Sequence, residues 1–230
     1  MLSPRRQTSG RKRGHRILSV VVAVLSGTVA LLAVLPGPAQ SSPPLFGTTE
    51  QRYERNSKLF PKWESMRERA TMDDSKVPAC KPNIFLSCFQ KEMDERLPKL
   101  RTMSPRKQVD EVHQWINRMQ YEKDSATYGA RDYWAARHES QEKDKGDCED
   151  YAISKYYVLK KLGFPTSSLR IAAVKDTNLK IGHAILIVYL NGEVLVLDNR
   201  IKRVVTQDRI VHYLPVYTIN EENWWRHRPR

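Results

Sequence analysis

The clearest pattern of apolar and polar positions in the chain begins near residue 148. Apolar or aromatic residues recur there about every 3.6 positions, which is the period of an α-helix. The recurring residues are Ala152, Tyr156, Leu159 and Leu162. Gly163 and Pro165 then supply a stop signal. The pattern therefore predicts a helix that has Cys148 in its first turn.

Two apolar, β-branched runs, residues 182–190 and 193–200, follow this helix and are joined by Asn191-Gly192. Asn-Gly between such runs is a strong signal for a β-hairpin with a two-residue turn. Such a turn makes His183 and Asp198 diagonal neighbours on one face of the ladder, roughly 7–8 Å apart at Cα. The first run is apolar at successive positions, which predicts a strand that is buried on both faces.

Shorter patterns predict further elements. Residues 63–69 have the composition of a short helix. Ser104-Pro105 is a typical N-cap followed by proline at the first helical position, and the helix after it has an apolar face. That face consists of Val109, Val112, Ile116 and Met119. Residues 170–174 predict a strand before the hairpin.

The first 39 residues predict an export signal that is not part of the folded domain. A basic stretch precedes an apolar run over residues 17–35, and Gly37-Pro38-Ala39 supplies small residues for a cleavage site. The apolar run is long for a signal peptide, so an uncleaved inner-membrane anchor stays open. We therefore divide the chain into a leader or anchor, residues 1–39, and a single domain, residues 40–230.

The charge of the chain argues against a nucleic-acid partner once the leader is set aside. Six of the 39 Lys and Arg residues lie in the leader, which leaves 33 against 26 acidic residues and a net charge of +7 instead of +13. The dense basic stretch that remains is the short tail, residues 225–230. We expect solvated surface and no nucleic-acid binding, with membrane contact only through the N-terminal segment if it is uncleaved.

Cys80 and Cys88 are the other two cysteines of the chain. In an oxidising compartment, the economical assignment pairs them as a local disulfide and leaves Cys148 free. Neither their spacing nor their neighbours resemble redox-active Cys-x-x-Cys chemistry, so the expected role of the disulfide is structural.

Cys148 at a helix start is a candidate nucleophile. The unpaired backbone N–H groups and the positive dipole end of a helix favour a thiolate and also suit an oxyanion. His183 is the candidate base. The Asp198 carboxylate can accept from one ring nitrogen, fix the tautomer and leave the other nitrogen to face Cys148.

These segments resemble the bacterial transglutaminase-like cysteine peptidases, which include the LapG-type periplasmic proteases. The resemblance lies in Gly146-Asp147-Cys148-Glu149-Asp150-Tyr151-Ala152, Gly182-His183-Ala184 and Leu197-Asp198-Asn199. Further similar segments are Phe60-Pro61-Lys62-Trp63 and Asp132-Tyr133-Trp134-Ala135. The Cys148 motif is the most specific part, and the resemblance extends over essentially the whole of the predicted domain.

This resemblance implies an α+β domain of the papain-like, transglutaminase type, with N-terminal helices packed on an antiparallel sheet. It implies a periplasmic cysteine endopeptidase in which Cys148, His183 and Asp198 form the triad. The implied substrate is a linker in a large secreted adhesin or other surface protein, and an inner-membrane cyclic-di-GMP receptor is an implied partner. Two alternatives stay open: transglutaminase-type acyl transfer to an amine, and a non-catalytic envelope binding module of the same fold.

The acidic residues around Cys148 pose an electrostatic problem. Carboxylates at Asp147, Glu149 and Asp150 disfavour a thiolate between them and raise its pKa. They either cap the helix or point into solvent, or they bind Ca²⁺, a hard cation that prefers oxygen ligands and reverses the local field. The resemblance implies calcium dependence with ligands at Asp147 and Glu149, and we add Asp150 as a further ligand. Zinc is disfavoured because no histidine or second cysteine has suitable spacing.

Overall fold

The structure is a computed structural model, and it describes residues 43–71 and 89–229. The predicted leader, residues 1–39, and the predicted disulfide between Cys80 and Cys88 lie outside the described residues and stay predictions. Within the described part of the chain, no helix is long and apolar enough to cross a membrane.

The α-helices of the described chain lie in one stretch of the sequence, residues 61–161, and the last of them carries Cys148. The helices are α1 (Pro61–Thr71), α2 (Phe89–Arg101), α3 (Pro105–Ile116), α4 (Asp124–Thr127), α5 (Arg137–Lys143) and α6 (Cys148–Lys161). The helix predicted at residues 63–69 is present and longer than predicted. The predicted N-cap of α3 is confirmed, since Ser104 Oγ accepts from Lys107 N–H at 3.5 Å. α6 ends just before Gly163, which has a φ of 99°.

Strands from both ends of the described chain build one antiparallel sheet. The strands are β1 (Thr49–Glu54), β2 (Gln120–Tyr121), β3 (Lys145–Gly146), β4 (Leu169–Asp176), β5 (Ile181–Leu190), β6 (Glu193–Leu197), β7 (Val205–Thr206), β8 (Tyr213–Ile219) and β9 (Asn223–Arg228). The seven-stranded sheet has the order β1-β9-β8-β4-β5-β6-β7, and each neighbouring pair in it is antiparallel. β2 and β3 form a separate parallel pair.

The β5–β6 hairpin has the predicted register. Asn191 and Gly192 have φ values of 51° and 83°, the left-handed conformation that a two-residue hairpin turn requires. Leu186 pairs with Leu197 across the two strands, which is the pairing that a turn at Asn191-Gly192 predicts.

The second strand of the hairpin is shorter than predicted. We predicted a strand over residues 193–200, but β6 ends at Leu197. The Asp198 carboxylate accepts a hydrogen bond from Arg200 N–H at 2.9 Å, which turns the chain out of the ladder. Asp198 therefore lies just beyond β6, while His183 lies inside β5.

The sheet is covered on both faces, so β5 is buried on both sides as predicted. Helices α1, α3 and α6 pack on one face. The buried cluster there includes Trp63, Val112, Tyr156, Leu186 and Val188. The N-terminal segment and the chain that leads into β8 pack on the other face. The cluster there includes Leu45, Ile185, Ile187, Ile210 and Tyr213. Helices on one face of an antiparallel sheet form the predicted α+β arrangement.

Candidate active site

The N-terminus of α6 is built so that Cys148 is the first helical residue. Asp147 is the N-cap, and its backbone N–H donates to Asp150 Oδ2 at 3.2 Å. Asp150 Oδ1 accepts from Ala135 N–H at 2.9 Å, so this fully buried carboxylate joins the start of the helix to the segment before α5. Both oxygens of Asp150 thus accept backbone hydrogen bonds, and together these bonds stabilise the turn that carries Cys148.

The Cys148 thiol is partly buried and donates to a neighbouring carboxylate, Glu149 Oε2, at 3.1 Å. Burial raises the pKa of Cys148 most, and the negative charges of Glu149 and Asp147 raise it further. A backbone hydrogen bond from Ala184 acts in the opposite direction. These effects outweigh the helix dipole, which favours a thiolate. Without added positive charge, the resting group is therefore a thiol.

The structure brings His183 and Asp198 into direct contact. His183 Nε2 and Asp198 Oδ1 are 2.9 Å apart, and the two residues are only 3% and 0% exposed. Tyr213 donates its hydroxyl to Asp198 Oδ2 at 2.7 Å. Burial acts to raise the pKa of Asp198, but hydrogen bonds from His183, Arg200 and Tyr213 hold it below its ordinary value. Asp198 is therefore an ionised acceptor, and Tyr213 is a member of the site that the sequence analysis missed.

The second ring nitrogen of His183, Nδ1, is buried and has no hydrogen-bond partner among the described residues. The sulfur of Cys148 accepts from the backbone of Ala184, the next residue along β5. The imidazole and the thiol are thus placed at the same end of β5. The thiol proton is directed to Glu149 and not to His183.

Carboxylates from two further segments join those around Cys148. Carboxylate oxygens and the Cys148 sulfur form overlapping groups, and within each group the potential ligand atoms lie within 4.8 Å of one another. The groups are Asp147-Cys148-Glu149, Asp124-Asp132-Glu149 and Asp124-Asp147-Asp150. The sequence analysis missed Asp124 and Asp132 as members of this acidic cluster, because folding brings α4 and the loop after it to the start of α6. The one available signal was the presence of Asp132 in a segment that resembles the family.

Positive charge balances the acidic cluster only in part: Lys62 forms an ion pair with Asp132, but the pKa values of the other aspartates stay raised. Burial, followed by neighbouring carboxylates, raises the pKa of Asp124 to about 6 and that of Asp147 and Asp150 to about 8. Asp124 Oδ1 and Asp147 Oδ1 are buried and have no hydrogen-bond partner within the described chain. Unpartnered carboxylate oxygens from several segments suit a hard cation such as Ca²⁺.

Comparisons with known proteins identify a family and similar structures. A family model described as bacterial transglutaminase-like cysteine proteinase matches residues 80–227. Calcium-bound LapG from Legionella pneumophila has a similar structure, with a TM-score of 0.56 and 26% identity over 71% of this chain and 86% of the other. EGTA-treated LapG from the same organism has a TM-score of 0.57 and 26% identity over 73% and 86% of the two chains. A search of curated protein sequences gives no match. The structural similarity confirms the predicted fold class.

We predict that Gly146→Ala destabilises the start of α6 and slows the reaction of Cys148 with iodoacetamide. A Cβ at this glycine would lie 2.7 Å from both Cβ and Oδ2 of Asp150, so Asp150 must move, at a cost of about 1–3 kcal/mol. Gly182→Ala is the matched control, because a Cβ there meets nothing within 4 Å. Thermal unfolding and the alkylation rate measure the two effects. Equal behaviour of the variants would contradict the steric role of Gly146.

We predict that, with a chelator present, Asp147→Asn becomes progressively more stable than the wild type as the pH rises from 5 to 8. The pKa of Asp147 is about 8 in the folded protein, whereas an unfolded chain has a value near 4. Between these values the native wild type holds a proton that the unfolded chain has released, so raising the pH favours unfolding. Asparagine removes this contribution. Melting temperatures of the two proteins across this range provide the measurement. A difference in melting temperature that stays constant with pH would refute the prediction.

Proposed function

We propose that this chain, which belongs to the bacterial transglutaminase-like cysteine proteinase family, is a cysteine endopeptidase that uses Cys148, His183 and Asp198 as its triad. Membership of a proteinase family implies a protein substrate. The observation that carries the proposal is the buried hydrogen bond of 2.9 Å between His183 and Asp198, next to the strand residue that contacts the sulfur of Cys148.

The proposed reaction begins when His183 Nδ1 takes the thiol proton and Cys148 Sγ attacks the peptide carbonyl carbon. The backbone N–H of Cys148 at the start of α6 is the proposed donor for the oxygen that gains negative charge. The C–N bond then breaks as His183 donates its proton to the leaving amine. His183 then deprotonates a water molecule that attacks the thioester carbonyl carbon. The C–S bond breaks, the carboxylic acid product leaves, and Cys148 Sγ takes the proton back from His183. Asp198 accepts from Nε2 throughout and keeps the imidazole in one tautomer and orientation.

Calcium dependence is the second part of the proposal. Asp147 and Glu149 would hold the ion, joined by Asp124 and Asp132 from the same acidic cluster. When bound, the ion would supply positive charge beside the thiol and favour the thiolate. Asp150 is a weaker ligand candidate than the sequence suggested, because both of its oxygens already accept backbone N–H groups.

Two observations support a cation at this place. The buried oxygens of Asp124 and Asp147 that have no partner in the described chain are available as ligands. The similar Legionella protein is known in a calcium-bound form. Glu149 adds a functional reason, because its Oε2 accepts the thiol hydrogen bond from Cys148 Sγ at 3.1 Å and so competes with His183 for that proton.

The proposed substrate is a linker in a large secreted adhesin or other surface protein, cleaved in the periplasm. An inner-membrane cyclic-di-GMP receptor is the proposed regulatory partner. The resemblance of the Cys148, His183 and Asp198 motifs to LapG-type proteases supports the substrate and the partner. The predicted export signal in residues 1–39 supports the compartment.

Incubation of purified protein with candidate adhesins tests the triad and the metal together. We predict that the wild type releases defined fragments and that Cys148→Ala releases none, because it lacks the nucleophile. We predict that EGTA lowers the cleavage rate about tenfold or more and that added Ca²⁺ restores it, because burial and the acidic neighbours raise the thiol pKa. Gel electrophoresis and mass spectrometry of the fragments provide the measurement, and folded Cys148→Ala controls for contaminating proteases.

The same assay separates the alternatives. A primary amine added to the reaction would be incorporated into the substrate without chain cleavage if the protein were a transferase. A folded wild type whose Cys148 does not react with a peptide-like thiol inhibitor would be a binding module. Cleavage that persists unchanged in EGTA would remove calcium from the proposal while leaving the triad in place.

A further inference from the structure

Buried polar side chains from two helices hold the turn that carries Asp198. Lys155 of α6 is completely buried, and its Nζ donates to the Leu197 carbonyl at 3.5 Å. Asn117, just after α3, donates from Nδ2 to the Asp198 carbonyl at 3.1 Å. The two helices therefore supply donors to consecutive carbonyls at the point where the chain leaves β6.

His113 extends this polar layer. It is buried in α3, and its Nε2 lies 2.9 Å from the Ile201 carbonyl, which Asn117 Nδ2 also approaches at 3.3 Å. Burial, followed by the positive charge of Lys155, lowers the pKa of His113 to about 4. The ring is therefore neutral and donates its Nε2 proton to the carbonyl. Side chains at 113, 117 and 155 thus hold both ends of the turn over residues 197–201.

These hydrogen bonds meet a requirement of the main chain. A strand that ends inside the fold leaves carbonyls without sheet partners, and buried carbonyls need donors. Here the donors come from helices, so the helices determine where the turn lies. The carboxylate of Asp198 is 2.9 Å from His183 Nε2, and a shift of the turn by about 1 Å would place it beyond hydrogen-bond distance.

Burying the Lys155 ammonium, which donates to the Leu197 carbonyl, costs electrostatic free energy. Burial lowers the pKa of Lys155 to about 7, because loss of hydration outweighs the attraction of Asp198. The titratable and charged groups that face Lys155 are Asp198, His113 and Tyr151, whose ring centroid is 5.7 Å from Nζ. An apolar residue of similar length would avoid this cost. Stability alone therefore does not account for a lysine at this position.

We propose that Lys155 and Asn117 are positioning residues for the triad: they hold the main chain at Asp198 so that its carboxylate keeps His183 in the reactive orientation. Lys155 also places a positive charge near that carboxylate. It lies on the same helix as Cys148, about two turns further along, so α6 links the nucleophile to the acidic member of the triad. The inference rests on the proposed function, because it assigns roles within that triad.

The test follows the reactivity of Cys148 and does not depend on a known substrate. Wild type, Lys155→Met and Asn117→Leu react with iodoacetamide in the presence of Ca²⁺ from pH 6 to pH 9. Mass spectrometry quantifies the peptide that carries Cys148, and thermal unfolding reports the stability of each variant. Methionine is unbranched and one heavy atom shorter than lysine, and leucine keeps the branched shape of asparagine.

Two further variants serve as references. Ser154→Ala is the matched control. It removes a buried polar contact between α6 and α5, from Ser154 to Ser140 at 3.3 Å, and this contact does not involve the Asp198 turn. His183→Ala defines the rate of alkylation without the proposed base.

We expect Lys155→Met and Asn117→Leu to react about tenfold to a hundredfold more slowly than wild type, and Ser154→Ala to react at the wild-type rate. Lys155→Met should melt no lower than wild type. The loss of alkylation rate in Lys155→Met should be largest below pH 7, where the wild-type ammonium is charged, and should become smaller toward pH 9. A purely structural role would not give this pH dependence.

Wild-type rates in both folded variants would overturn the inference and leave the proposed function intact. If Lys155→Met does not fold, Asn117→Leu decides: slow alkylation of the folded variant supports the inference, and a wild-type rate overturns it. Failure of the proposed function has a different signature, because His183→Ala would then react as fast as wild type.

Discussion

The buried carboxylate of Asp198 is the constraint on which the site depends. A charge that is removed from water is tolerated only where donors replace the lost hydration, and Asp198 is 0% exposed. Its donors are His183 in β5, the backbone of Arg200 in the following turn and Tyr213 at the start of β8. Because these elements must meet at one carboxylate, the strand order of the sheet and the orientation of the imidazole are coupled.

The acidic cluster beside Cys148 shows the opposite charge balance. Asp124 and Asp147 have buried oxygens without partners in the described chain, and burial raises the pKa of Asp147 to about 8. The same surroundings raise the pKa of the thiol, which donates to Glu149. One half of the site is therefore electrostatically complete, whereas in the other half Lys62, which pairs with Asp132, balances the carboxylates only in part. This difference explains how an ionised Asp198 and a protonated Cys148 coexist at one end of β5.

Parts of the site with strong local signals could be predicted. The helical period and Gly163 located α6, and Asn191-Gly192 gave the register that brings His183 close to Asp198. The prediction failed where a side-chain hydrogen bond competes with the strand pattern. We predicted a strand as far as residue 200, but the Asp198 carboxylate accepts a hydrogen bond from the backbone two residues ahead and ends the strand at Leu197.

By itself, the sequence determined the start of α6 at Cys148, the pairing of the hairpin and the motifs of the family, because each of these depends on residues close together in the chain. Tertiary structure alone decided which distant groups complete the site: the hydroxyl of Tyr213 on Asp198, the carboxylate of Asp124 in the acidic cluster and the ammonium of Lys155 at the turn. No local period or turn signal specifies such contacts. Tertiary structure also decided the protonation state of the thiol, because burial and neighbouring carboxylates, which depend on the whole fold, outweigh the local helix dipole.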